Sequence, residues 1–223
     1  SFGSNKPMDI FGGRWENHAE RIRENWLKTI SEEDTVLLPG DFSWAIDLIE
    51  ADPDFVFLEK LPGQKIISKG NHDYWWSTLT KISQYFQSKQ YNSIRILHNN
   101  AYAADNIVIS GTRGWMSPDE EGFSKEDMKV FLREIERLKL SLHAAKKLGG
   151  DPLVMLHYPP FDSRRRPNDF GRVMAEYGVK HCIYGHIHGR AKVAPNLETI
   201  EGITYQLVSS DYLNFNPTKL DII

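Results

Sequence analysis

The chain has 223 residues, enough to bury the core of one domain, and its 40% hydrophobic and 26% charged residues are those of a globular protein. A net charge of −3 without a long basic or acidic run gives no general attraction for long nucleic acid, and no apolar run approaches the roughly eighteen residues of a membrane span. The single cysteine, Cys182, excludes an internal disulfide, reads as a small buried strand residue, and fits a reducing, cytoplasmic setting.

In chain order, residues 16–30 form an amphipathic helix with Ala19, Ile22, Trp26 and Ile30 on one face. A strand at 35–39 follows. A second helical stretch covers about 44–60 and is interrupted near Asp52-Pro53, since proline cannot continue a helix interior. Another strand, 65–69, precedes a helix that begins near Ser77. The runs 94–97 and 106–110 read as strands with a turn at about Asn99-Asn100 between them. The longest helix is the clearest. Ser124 with Asp127 approximates a capping box, Met128, Phe131, Ile135, Leu138, Leu142 and Ala145 recur at helical spacing, and Gly149-Gly150 ends it. Strands at 153–156 and 181–184 flank an irregular stretch, and the tail adds strands near 204–208 and 219–222. With no repeat, linker or low-complexity segment, residues 1–223 read as one α/β domain with mixed sheets.

Four of these strands end on polar groups of one chemical kind. Gly40-Asp41 follows 35–38, Gly70-Asn71-His72-Asp73 follows 65–68, His157 follows 153–156, and Gly185-His186-Ile187-His188-Gly189 follows 181–184. Ligands on turns at the ends of buried strands build a site on the rim of an α/β sheet, and Asp, Asn and His together suit a pair of divalent metals. Gly70 and Gly185 suit sharp turns where backbone and ligand come close. His186 and His188, two apart in an extended segment, point to one side. Several imidazoles and no thiolate favour Mn, Fe or Zn over Ca or Mg, with Mn foremost. His18, His98, His143 and His181 belong to no such pattern and read as ordinary.

In this order the motifs resemble the calcineurin-like metallophosphoesterases, over roughly Asp41 to Gly189. The resemblance implies a four-layer α/β/β/α sandwich with two facing mixed sheets, and hydrolysis of a phosphomonoester or phosphodiester by in-line attack of a metal-bound hydroxide. It implies that Asp41 bridges two ions, that Asn71, His157 and His186 complete one site, and that His188 binds the other ion. His72 is then the general acid, with Asp73 as the carboxylate that orients it. The family's first strand ends in Asp-x-His, a motif this chain lacks, so that strand is expected upstream of Ser1. If only Asp41 and His188 served the second ion, the alternative is a catalytically impaired metal-binding scaffold that binds a protein partner.

The expected ligand is a small phosphorylated substrate, with no long nucleic acid and no membrane as partner. Trp44, Trp75, Trp76 and Trp115 lie near the motifs and read first as packing for the loops. Trp75 is kept as a candidate for stacking on substrate. Of Arg113 and the run Arg164-Arg165-Arg166, Arg164 is kept as a candidate phosphate contact.

Overall fold

The computed structural model describes Met8, residues 12–189 and residues 197–220. After a short 3-10 turn, Gly13–Trp15, the helices are α1 His18–Thr29, α2 Asp52–Glu59, α3 Leu79–Lys89, α4 Lys125–Leu148 and α5 Asp169–Glu176. The strands are β1 Thr35–Leu38, β2 Gln64–Ile67, β3 Ile94–Ile96, β4 Tyr102–Ala104, β5 Ile107–Thr112, β6 Asp151–Leu156, β7 His181–Tyr184, β8 Leu197–Ile200 and β9 Ile203–Leu207. One sheet has three parallel strands in the order β1-β2-β3. The other runs β4-β5-β6-β7-β9-β8, parallel in its centre and closed by antiparallel β4 and β8 at its edges.

Alternation along the strands builds the layers, because successive side chains point to opposite faces. Ile66 faces Ile109, Leu153, Met155 and Ile183 in a core between the sheets. Its neighbour Ile67 faces the other way, onto Trp26, Phe55, Ile82 and Phe86 from α1, α2 and α3. On the far side of the larger sheet, Val154, Leu156, Cys182 and Tyr184 pack against Phe131 and Leu138 of α4 and Phe170 and Met174 of α5. The result is the four-layer α/β/β/α sandwich.

Helix α4 forms as its sequence dictates. The Ser124 hydroxyl accepts from Asp127 N (3.1 Å) while the Asp127 carboxylate accepts from Ser124 N (2.9 Å), so two amides that lack helical partners are paired. Elsewhere local structure departs from expectation. Pro53 does not interrupt a helix from residue 44; it occupies the first turn of α2, where its missing N–H costs nothing, and residues 44–51 run through irregular backbone and a bend into a turn at 48–51. The stretch between β6 and β7 contains α5, which the Asn168 side chain caps by accepting from Phe170 N. β4 and β8 have no counterpart among the expected strands, and β3 and β5 lie in different sheets. Lys219 and Leu220 are irregular, while residues 221–223 of the expected last strand lie outside the described residues.

The C-terminal ends of β1, β2, β6 and β7 meet on one rim. β1 is the outer strand of its sheet, and its last three residues are only half-buried despite their apolar side chains. Beside it lies a cavity of about 1340 Å³ whose walls include Leu37, Ile109, Leu153 and Ile183 between the sheets, and Asp41, His186 and His188 at the rim.

Candidate metal centre

Two glycines bring the loops after β1 and β2 into contact. A Cβ on Gly40 would lie 2.4 Å from Gly70 N, and one on Gly70 would lie 2.1 Å from Asp41 Oδ1. Gly185 is different: a Cβ there would meet nothing closer than Pro39 Cγ at 3.6 Å, so the expected need for glycine shifts from Gly185 to Gly40. Asp41 (φ 55) and His186 (φ 68) both sit in the left-handed region, which disfavours side chains and concentrates at functional sites.

Asp73 holds the two loops together. It is buried, and five N–H groups donate to its carboxylate: those of Asp41 (2.8 Å), Phe42 (2.9 Å), Ser43 (3.1 Å) and Gly70 (2.7 Å), and the Trp75 indole (3.0 Å). Burial pushes its pKa up to about 6, while the donors from Gly70, Ser43 and Trp75 oppose that rise by favouring the anion. Both oxygens are thus committed inward, and Asp73 is not the group that orients His72. The His72 ring stacks on Trp44 (centroids 4.3 Å apart, planes at 17°), and its Nδ1 lies 3.2 Å from the Tyr74 hydroxyl.

Four donor atoms converge above the rim. His157 Nε2 is 2.7 Å from Asn71 Oδ1 and 3.5 Å from Asp41 Oδ2, and His186 Nδ1 is 3.0 Å from Asn71 Oδ1 and 3.2 Å from His157 Nε2. His157 Nδ1 donates to Pro39 O at 2.8 Å, which leaves Nε2 as a lone pair facing the cluster. Burial drives the pKa of His157 down to about 3 and that of His186 to about 4, so both rings are neutral. At most one proton, on His186 Nδ1, is shared among the four atoms. This donor set fits a cation. Asp41, His157 and His186 form the one cluster of three metal-binding side chains among the described residues.

Those observations agree with a comparison against known families. The family model for calcineurin-like phosphoesterases matches residues 12–190. The chain belongs to the calcineurin-like phosphoesterase family. No curated protein matches it. Among solved structures it is similar to TT1561 of Thermus thermophilus (12% identity, TM-score 0.58, covering 87% of this chain and 84% of that one). It is also similar to GAP50, described as the anchor in the inner membrane complex of Plasmodium (14% identity, TM-score 0.51, covering 90% and 68%). A third, AQ665 of Aquifex aeolicus, is a protein of unknown function (16% identity, TM-score 0.46, 91% and 81%). At such identities these likenesses show the fold alone.

Within this phosphoesterase chain, His188 stands apart from the four-atom cluster but lines the same cavity as Asp41. Its Nδ1 is 2.9 Å from Asp211 Oδ1, and Asp211 Oδ2 accepts from Gly189 N at 2.9 Å. Burial raises the Asp211 pKa, but the His188 ring and the Gly189 amide outweigh it and hold the carboxyl below its ordinary value. A histidine steadied by a buried carboxylate at Nδ1 presents Nε2 outward, the arrangement common among metal-binding histidines. Asp211 belongs to none of the sequence motifs.

The two candidate substrate contacts lie elsewhere. Trp75 is 2% exposed, donates to Asp73 and packs edge-on against Phe55, so it is a core residue with no face for a substrate. Of the four tryptophans near the motifs, Trp44 is the one on the cavity wall, which Trp15 and Trp26 also line. Arg164 is exposed in a loop away from the cavity, a loop stapled by Asp162 with Arg166 and by Arg165 with Glu198. Arg113 is turned inward, over Trp115 (4.3 Å) and toward Glu134 (3.4 Å). No helix among the described residues is long and apolar enough to cross a membrane.

Proposed function

We propose that this phosphoesterase hydrolyses small phosphomonoesters or phosphodiesters at a divalent transition-metal centre on the shared rim of its sheets. The observation that carries the reading is the convergence of Asp41, Asn71, His157 and His186 with almost no proton to share among them. Mn, Fe or Zn suits two imidazoles with two oxygen donors. Such an ion, when bound, supplies positive charge that polarises phosphoryl oxygens and activates water.

The remaining chemistry belongs to the chain. Asp41, Asn71, His157 and His186 hold the ion. Asp73 keeps Asp41 and Asn71 in register by tying one loop to the other. His72, on the cavity wall beside Asp41, gives a proton to the leaving oxygen as the ester bond breaks. Asp41 and His188 begin a second ion site. Among the described residues no strand pairs with the outer edge of β1, beside the apolar cavity, and a further extended segment seated there is read as the source of its other ligands.

A second reading, a metal-binding scaffold without turnover, draws on that same incompleteness, since Asp41 and His188 alone make too few ligands. One experiment separates the two. The protein is loaded with Mn, its metal content is measured, and it is assayed against a broad panel of phosphorylated metabolites and simple diesters. Turnover of at least one small ester with bound metal is expected. Bound metal with no turnover on any ester favours the scaffold, and failure to hold Mn, Fe or Zn after reloading overturns the metal centre itself.

A further inference from the structure

With Asp73 committed elsewhere, the ring of His72 is left to other neighbours, and the backbone decides which. Tyr74 N donates to His72 O at 2.9 Å, a three-residue turn with Asp73 at its apex. Asp73 at the apex is buried, while His72 and Tyr74 on either side of it are half-buried and exposed. Their rings meet edge to face at 6.0 Å and 81°, and the Tyr74 hydroxyl reaches His72 Nδ1 at 3.2 Å. Trp44, stacked nearly parallel on the ring face, fixes the plane in which the imidazole lies. The two nitrogens of an imidazole diverge. Engaging Nδ1 with Tyr74 therefore turns Nε2 away from it.

We infer that Tyr74 is a positioning residue for the reaction: its hydroxyl holds Nδ1 of His72 so that Nε2 is the nitrogen that protonates the leaving oxygen. This rests on the role of His72 proposed above. The step balances simply. The charged ring passes its Nε2 proton to the ester oxygen, the electron pair of the P–O bond stays on that oxygen, and the ring is left neutral with its hydrogen on Nδ1. Tyr74 accepts from that N–H both before and after the transfer. A hydroxyl does this without adding a charge beside the phosphate, which a carboxylate would do. Tyr74 is 53% exposed, so removing its hydroxyl leaves the core untouched.

The test uses Tyr74→Phe, which keeps the ring and deletes the hydrogen bond. Ring ¹⁵N–¹H correlation spectra of the zinc-loaded protein, with the His72 signals assigned from a His72→Gln variant, report which nitrogen carries hydrogen at a pH where imidazoles are neutral. The expected wild-type form is Nδ1–H, with Tyr74→Phe reverting to the Nε2–H form that free imidazole prefers. Turnover should fall about tenfold on an alkyl phosphate, the worth of one neutral hydrogen bond, and much less on a nitrophenyl phosphate, with KM unchanged. Identical tautomers in wild type and variant overturn the assignment of Tyr74. A tautomer that changes while both esters lose rate equally overturns instead the acid role of His72, and the positioning role with it.

Discussion

His72 and Asp73 are neighbours with opposite duties, and substitution separates them. His72→Ala removes a half-exposed ring that no ligand atom depends on. Metal content and melting temperature should therefore hold while turnover of an alkyl phosphate falls by roughly 10²–10⁴-fold, with a smaller loss on a nitrophenyl ester. Asp73→Ala strands five N–H donors on two loops. Each buried donor left unpaired costs about 1–3 kcal/mol, so even with partial solvation the loss should exceed about 3 kcal/mol and carry metal binding with it. A thermal melt paired with elemental analysis checks both; a stable, metal-replete Asp73→Ala protein would contradict the clamp. The glycines offer a second contrast. Gly70→Ala forces Asp41 to move, because the new methyl overlaps its carboxylate and amide, whereas Gly185→Ala meets only ordinary contacts. Metal affinity measured by titration should drop sharply in the first and stay near wild type in the second.

At the scale of elements, legibility follows burial and length. The parallel strands carrying the candidate ligands are continuous apolar runs ending at polar turns, and all four are readable, as is the capped α4. β4 and β8 are edge strands of three and four residues with half-exposed patterns, too short and too polar to stand out. α5 has two turns, and its start depends on Asn168 rather than on a long periodic run. The site divides along the same line. Ligands within a motif are visible from their strands, but Asp211, 23 residues beyond His188, meets it only through the pairing of β7 with β9. Trp75 and Trp44 cannot be told apart by sequence because the loop decides which ring faces inward. For α4 itself, Ser124→Ala deletes one half of the capping box. Thermal melts should show a loss of about 1 kcal/mol, a drop of roughly 2–4 °C for a chain of this size. No change would mean that Asp127, which also accepts from Trp115, caps the helix alone.

The whole molecule is two sheets joined by an apolar interior, and the candidate ligands are divided between them. Asp41 and Asn71 follow β1 and β2 of the smaller sheet, while His157 and His186 follow β6 and β7 of the larger. At this rim the His157 ring reaches across to Pro39 O, but the neighbouring donor atoms are otherwise acceptors facing one another. An ion held by the proposed ligands would replace that repulsion with attraction to both sheets, and anything that binds only the folded state stabilises it by mass action. At about a hundredfold excess over its dissociation constant, that is about 2.7 kcal/mol, or a melting temperature higher by roughly 5–10 °C. Chelation should therefore lower the melting temperature of the wild-type protein by that order, and added Mn or Zn should restore it. In Asp41→Ala, which lacks a carboxylate of the cluster, chelator should make little difference. If elemental analysis shows the ion removed from wild type while the melting temperature stays put, the metal does not tie the sheets together, and their cohesion rests on the apolar interior alone.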